Sequence, residues 1–149
     1  MFTIACDFDG TIVKHEYPAI GEEIPGAIDT LKYMKEKHGC ALILWTVRDV
    51  GHGVEEAVEW CRERGLEWDA VNENVEPIEG LAQHKVLAKV YIDDRGMGTI
   101  MRNGDSDLDE DTWSSIKLHL KKLVEGIFER ALLMERAADR ILSLDGENK

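Results

Sequence analysis

The sequence predicts an α/β domain: a Rossmann-like three-layer α/β/α sandwich around a mostly parallel sheet, with a helical extension at the C-terminus. Three observations predict it. Short apolar runs alternate with amphipathic helical stretches, the pattern of βαβ units. The run CALILW, residues 40–45, is apolar without a break, which suits a parallel strand covered on both faces. Three of the runs also end in polar residues (Asp7 and Asp9, then Thr46, then Asp93 and Asp94), at the edge where such sheets bind ligands.

The elements follow in order. FTIAC, residues 2–6, reads as the first strand, and residues 10–24 as a loop carrying Gly10, Pro18 and Gly21. Pro25 suits the first turn of a helix. Ala27, Ile28, Leu31 and Met34 keep helical spacing, and Gly39 stops it. After the second strand, a loop with Gly51, His52 and Gly53 leads to a helix marked by Val54, Ala57, Val58 and Cys61 and closed at Gly65. LEWDAV, residues 66–71, is a shorter and weaker strand. Residues 72–80 form a loop with Pro77 and Gly80, and 81–87 a short helix. KVYI, residues 89–92, is a further strand.

NGDSDLDED, residues 103–111, reads as a solvated acidic loop, because its Gly and Glu do not fall at the positions of a calcium-binding EF-hand. From Thr112 to about Leu144 the chain reads as helix. Ile116, Leu120, Leu123, Ile127, Ala131, Met134, Ala138 and Ile141 step by threes and fours, and Val124, Phe128 and Leu142 widen the stripe. So long a helix outruns a small domain. Either it breaks in two, or part of its apolar face meets another chain, a homodimer being the simplest case. The chain thus divides into an α/β core, 1–111, and a helical extension, 112–149.

A chain of 149 residues fits one hydrophobic core. Its formal net charge of −12 disfavours nucleic acid and anionic lipid as partners, since their binders present a basic face. A small anionic substrate remains compatible, because a cation and a few basic side chains can reverse the field inside one cleft. Cys6, Cys40 and Cys61 are scattered, with no Cys-x-x-Cys spacing. They read as buried apolar residues in a reducing compartment. No segment has the length of a membrane span, and the N-terminus enters FTIAC without a signal-peptide pattern, so the expected location is the cytoplasm.

Asp7 and Asp9 stand one residue apart at a strand end, so both carboxylates tend toward one side. Two anions that close repel by roughly 4 kcal/mol at an effective dielectric of about 20. A divalent cation reconciles them. Asp7, Asp9 and Asp93 offer hard oxygen donors that suit Mg²⁺ with waters completing its octahedron.

Asp-x-Asp-Gly-Thr, residues 7–11, resembles the first motif of the haloacid dehalogenase superfamily of phosphohydrolases. Thr46, after LILW, matches the second-motif Ser or Thr. Lys85 is the best match to the third-motif lysine, and Asp93 and Asp94 in VYIDDR match the fourth-motif acidic pair. The four occur in the right order over residues 2–100. The loop IVKHEYPAIG, residues 12–21, also resembles that of small bacterial and phage members without a cap domain. Neither Asp9–Thr46 nor Thr46–Lys85 has room for a cap.

The resemblance implies a Mg²⁺-dependent phosphatase acting on a phosphorylated small molecule. Asp7 would be the nucleophile, forming an aspartyl-phosphate. Asp9 would protonate the leaving oxygen and then activate water, and its backbone carbonyl would bind the metal. Asp7, Asp93 and Asp94 would complete the metal set. Gly10, Thr46, Val47 and Lys85 would hold the phosphoryl group, the Gly10 N–H joining its cradle.

Duller readings stand beside these. Thr46 also reads as a strand terminus, and Lys89 competes with Lys85. Arg48 and Arg95 lie just past strand ends, suited either to substrate or to ion pairs with Asp49 or Asp94. His15, His52 and His84 have no partner at metal-ligand spacing and read as exposed. Trp45 and Trp60 read as core. Two other classes use similar parts: a receiver-like phospho-aspartate signalling domain, and a non-catalytic phosphate- or metal-binding module. In a receiver the acidic pair follows the first strand, whereas here Asp-x-Asp comes first and the adjacent pair last.

Overall fold

The computed structural model describes residues 1–48, 52–77, 85–97, 99 and 106–146. Four strands, β1 (Thr3–Cys6), β2 (Ala41–Leu44), β3 (Ala70–Val71) and β4 (Val90–Ile92), form one sheet in the order β3-β2-β1-β4. Every pairing is parallel, with Cys6 opposite both Leu44 and Ile92. The predicted mostly parallel α/β fold is therefore what the chain adopts. Strand order reverses at β1, which has β2 on one side and β4 on the other.

Alternation along β1 explains how both faces are buried. Ile4 and Cys6 point into the main core with Phe8 beyond them, while Ala5 joins Ile43 and Val86 in a smaller cluster on the opposite face. The main core takes Leu31 and Met34 from α1 (Ala27–His38), Ala57 and Cys61 from α2 (Gly53–Glu63), and Trp113, Leu120 and Val124 from α3 (Glu110–Gly146). The opposite face is covered in part by Val75, Val86 and Ala88. Most of the predicted 81–87 helix lies outside the described residues, and Lys85–Leu87 are not helical.

Pro25 lies just before α1 rather than in its first turn, because Gly26, at φ 86°, is the residue that caps the start at Ala27. Gly39, at φ 62°, closes α1, its N–H donating to the Lys35 carbonyl. All three cysteines are buried and unpaired, as their spacing suggests. Burial pushes the Cys40 and Cys61 thiols up to about 11 and about 12.

The strand predicted over 66–71 shrinks to Ala70–Val71 because side chains replace part of the ladder. The Asp69 carboxylate accepts the Leu42 N–H at 2.7 Å, while its own N–H donates to the Leu42 carbonyl. At the other end, Asn72 Oδ1 accepts the Thr46 N–H and Nδ2 donates to the Thr46 carbonyl, both at 2.8 Å. An amide side chain thus pairs with backbone as a strand would.

The C-terminal helix is unbroken over 37 residues, roughly 55 Å at 1.5 Å per residue. It starts two residues before Thr112, because Asp109 caps it by accepting the Thr112 N–H at 2.7 Å. The boundary drawn at 111/112 also falls inside the packed unit. Trp113 is fully buried and Leu120 and Val124 nearly so, and true projection begins only beyond Val124.

Candidate functional site

The site grows from the end of β1. The Asp7 N–H donates to the Ile92 carbonyl at 2.9 Å, carrying the β1–β4 ladder one step past the Cys6–Ile92 pair. That rung sets Asp7 beside the end of β4, where Asp93 and Asp94 follow. Phe8 turns into the core and stacks edge-on against Trp60 at 5.6 Å, so its neighbours Asp7 and Asp9 turn outward. Both line one cleft of about 500 Å³, together with His15, Tyr17, Val47, Asp93, Asp94 and Arg95. The cleft sits at the carboxyl ends of β1 and β4, where the strand order reverses.

Oxygen atoms of Asp7, Asp93 and Asp94 lie within 4.8 Å of one another. Their proximity has an electrostatic cost. Burial first, then the charges of Asp93 and Asp94, raise the Asp7 carboxyl to about 7, against hydrogen bonds from the Phe8 backbone and the Thr11 hydroxyl that favour its anion. Asp94 is raised by burial, with Arg95 opposing. Three hard carboxylates that resist sharing charge could hold a divalent cation.

Thr11, fully buried, links the two strand ends. Its hydroxyl accepts the Asp94 N–H at 3.0 Å and donates to Asp7 Oδ2 at 3.2 Å. Gly10 leaves no room for a side chain. Its φ is +79°, and a Cβ there would lie 2.6 Å from Asp94 Oδ2. Its N–H donates to the Val13 carbonyl at 2.7 Å and so is committed to the turn rather than to a phosphate cradle.

The remaining sequence-predicted residues divide. Asp9 lines the cleft, but its carboxylate is outside the three-aspartate group and is gripped by Arg48, through Nε to Oδ2 at 2.7 Å and Nη2 to Oδ1 at 2.6 Å. Thr46 is buried near the site, its hydroxyl accepting the Arg48 N–H at 3.3 Å. Val47 stands fully exposed on the rim. Lys85 does not reach the cleft. Tyr91, whose hydroxyl donates to the Val86 carbonyl and accepts the Ala88 N–H, holds that segment along β4, and the Lys85 ammonium rests 5.8 Å from its ring centre. Among the described residues Arg95 is the cation lining the cleft, pairing with Asp94 Oδ2 at 3.1 Å.

Sequence reasoning missed several contributors. The buried partner of Arg48 is Asp9, and Asp49, the neighbour the sequence offers, lies outside the described residues. His84 lies outside them too, while His15 and His52 are exposed as expected. The described part of the acidic loop is not simply solvated. Asp107 accepts the His15 N–H at 3.1 Å, and the Leu108 N–H donates to the Gly10 carbonyl at 2.7 Å. Trp113 Nε1 donates to the Thr11 carbonyl at 2.8 Å. The start of α3 therefore buttresses the turn that carries Asp7 and Asp9.

Fold and site together define a parallel α/β protein with an acidic cleft at its switch point. No protein-family model matches the chain, and no curated protein does. Among solved structures it is similar to that of a conserved protein coded by a locus of Bacteroides thetaiotaomicron, at 45% identity and a TM-score of 0.67, over 80% of this chain and 89% of that one. The chain belongs to the family of that conserved protein.

Proposed function

We propose that this chain is a Mg²⁺-dependent phosphohydrolase that cleaves a small phosphate monoester through an aspartyl-phosphate on Asp7. The observation that supports it most is the convergence of Asp7, Asp93 and Asp94 in one cleft that Asp9 also lines. The resemblance to haloacid dehalogenase phosphohydrolases assigns the same residues. Asp7, Asp93, Asp94 and the Asp9 backbone carbonyl would hold the cation, which when bound screens the negative charge of site and substrate.

Asp7 then attacks phosphorus, with Thr11 orienting its carboxylate. Asp9 gives a proton to the leaving oxygen and later takes one from the attacking water. Arg95 adds positive charge at the rim, the part the resemblance gives to Lys85. Tyr17 and Val47 leave the mouth open to the rest of the substrate. Turnover of p-nitrophenyl phosphate with Mg²⁺, and its loss on chelation, is the expected result. Metal-loaded, folded protein that turns over nothing would favour a receiver-like or non-catalytic module.

Metal and proton compete for the same carboxylates. The metal-free native chain holds a proton on Asp7 up to about pH 7, whereas the unfolded chain releases it near 3.8. Between these values the native state binds more protons, so this contribution to stability is full below the lower value and is lost as pH rises through the upper one. The melting temperature of metal-free protein should therefore fall from about pH 5 to about pH 8, and Mg²⁺ should raise it more at the higher pH. Equal Mg²⁺ shifts at both would count against Asp7 as a ligand.

The same reading places the protein in the cytoplasm, in keeping with its unpaired cysteines. No helix among the described residues is long and apolar enough to cross a membrane. The partner we propose for α3 is a second copy of the chain. Its apolar stripe is buried at Leu120 and Val124 and continues, exposed, at Ile127 and Met134, with Phe128, Leu132 and Leu133 beside it. Lys121, Lys122, Arg130 and Arg136 against Glu125, Glu129 and Glu135 leave that stretch near neutral in a chain of charge −12, so self-pairing meets little repulsion. Sedimentation equilibrium should give a dimer, and a monomer at all concentrations would remove this pairing.

A further inference from the structure

Arg48 is the most enclosed charge among the described residues, with a side chain that has no solvent exposure. Besides its two bonds to Asp9, Nη1 donates to the Pro18 carbonyl at 3.1 Å and Nη2 to the Ala19 carbonyl at 2.9 Å. Its Cζ lies 5.1 Å from the Phe8 ring centre and 5.4 Å from that of Tyr17. Four N–H contacts and two rings leave the guanidinium one orientation.

That grip has a consequence for the neighbouring cation site. Asp9 and Asp7 are separated by Phe8 alone and line one cleft, yet Asp9 contributes no carboxylate oxygen to the group formed by Asp7, Asp93 and Asp94. Arg48 takes up one acceptor site on each Asp9 oxygen. Each oxygen keeps a further site for proton exchange, but the carboxyl group is not at liberty to swing toward the other three.

We propose that Arg48 is a positioning residue that keeps the Asp9 side chain out of the cation site and holds it for proton transfer. It also fastens Asp9 to the Tyr17–Ala19 segment on the cleft rim, so that acid and rim keep a fixed separation. The inference rests on the phosphohydrolase reading for what Asp9 does, but not for where Asp9 is held.

Calorimetric titration of the full-length chain with Mg²⁺ tests it. In Arg48→Met the freed Asp9 joins the other carboxylates, and Mg²⁺ binds about tenfold more tightly. Turnover of p-nitrophenyl phosphate falls in kcat with KM little changed. Arg48→Met combined with Asp9→Asn returns Mg²⁺ affinity to the wild-type value without restoring turnover. Arg48→Lys keeps the charge but not the two-point grip, and recovers only part of kcat.

Asp9→Asn alone, which leaves Arg48 in place, keeps wild-type Mg²⁺ affinity. This holds the inference to account even if the Arg48 variants do not fold by circular dichroism. Wild-type Mg²⁺ affinity and kcat in a folded Arg48→Met chain would overturn it, as would a tenfold loss of affinity in Asp9→Asn. Mg²⁺ binding only after Arg48 is replaced would support the positioning role while overturning the phosphohydrolase reading. Binding in neither chain would overturn both.

Discussion

Asp7→Asn is expected to lower turnover of p-nitrophenyl phosphate by about 10³-fold or more and, in metal-free buffer near pH 8, to raise the melting temperature. The two effects have one cause. Asp7 sits against Asp93 and Asp94 in a partly buried cleft, and burial with their charges raises its carboxyl to about 7. Above that pH the native state carries an anion that it solvates poorly. Asparagine removes the charge and keeps the shape, and its amide oxygen still accepts from the Thr11 hydroxyl. It is no nucleophile toward phosphorus. Single-turnover kinetics and a thermal melt on the same preparation decide the matter. A mutant as active as wild type refutes the nucleophile assignment. One that is inactive but less stable would mean that the carboxylate serves the fold.

Trp113→Ala is expected to cost about 3–5 kcal/mol in urea denaturation, the range for losing a large aromatic side chain from a core. Trp113 is fully buried in the main core, on the helix that packs against α1. It also donates to the Thr11 carbonyl, the backbone of the residue that links Asp7 to Asp94. Trp113→Phe should restore most of the packing and lose only that bond, about 1 kcal/mol. If Phe and Ala proved equally destabilising, the hydrogen bond rather than the packing would dominate.

The parts of the site that could be read from sequence are those fixed by local geometry. Asp7 and Asp9 flank an apolar residue at a strand end, and Asp93 and Asp94 end another, so period-two alternation and the α/β binding rule were enough. The stripe from Ile116 to Val124 marked α3 equally well, since periodicity survives whatever a helix packs against. Arg48 was another matter. Its burial depends on the Pro18 and Ala19 carbonyls, about thirty residues away, closing over it, and no spacing announces that. The contact from Trp113 to Thr11 spans 102 positions and is equally silent. β3 was overextended because Asp69 sits within a strand-like run, yet its carboxylate bonds β2 in place of a backbone group, and Asn72 does the same for Thr46 just past the end of β2. Lys85 shows the limit of motif order. The right residue type at the right interval still went to the ring of Tyr91.

The order in which the strands meet has a consequence for synthesis. β1 leaves the ribosome first, but the strand that completes the cleft comes about ninety residues later and must dock directly beside it. A half-made chain that pairs β1 with β2 carries Asp7 without the added charges of Asp93 and Asp94. The penalty arrives with the docking of β4, late in assembly, and an ion captured at that moment would relieve it. If a divalent cation fills the proposed site, its availability during synthesis would set how quickly new chains mature.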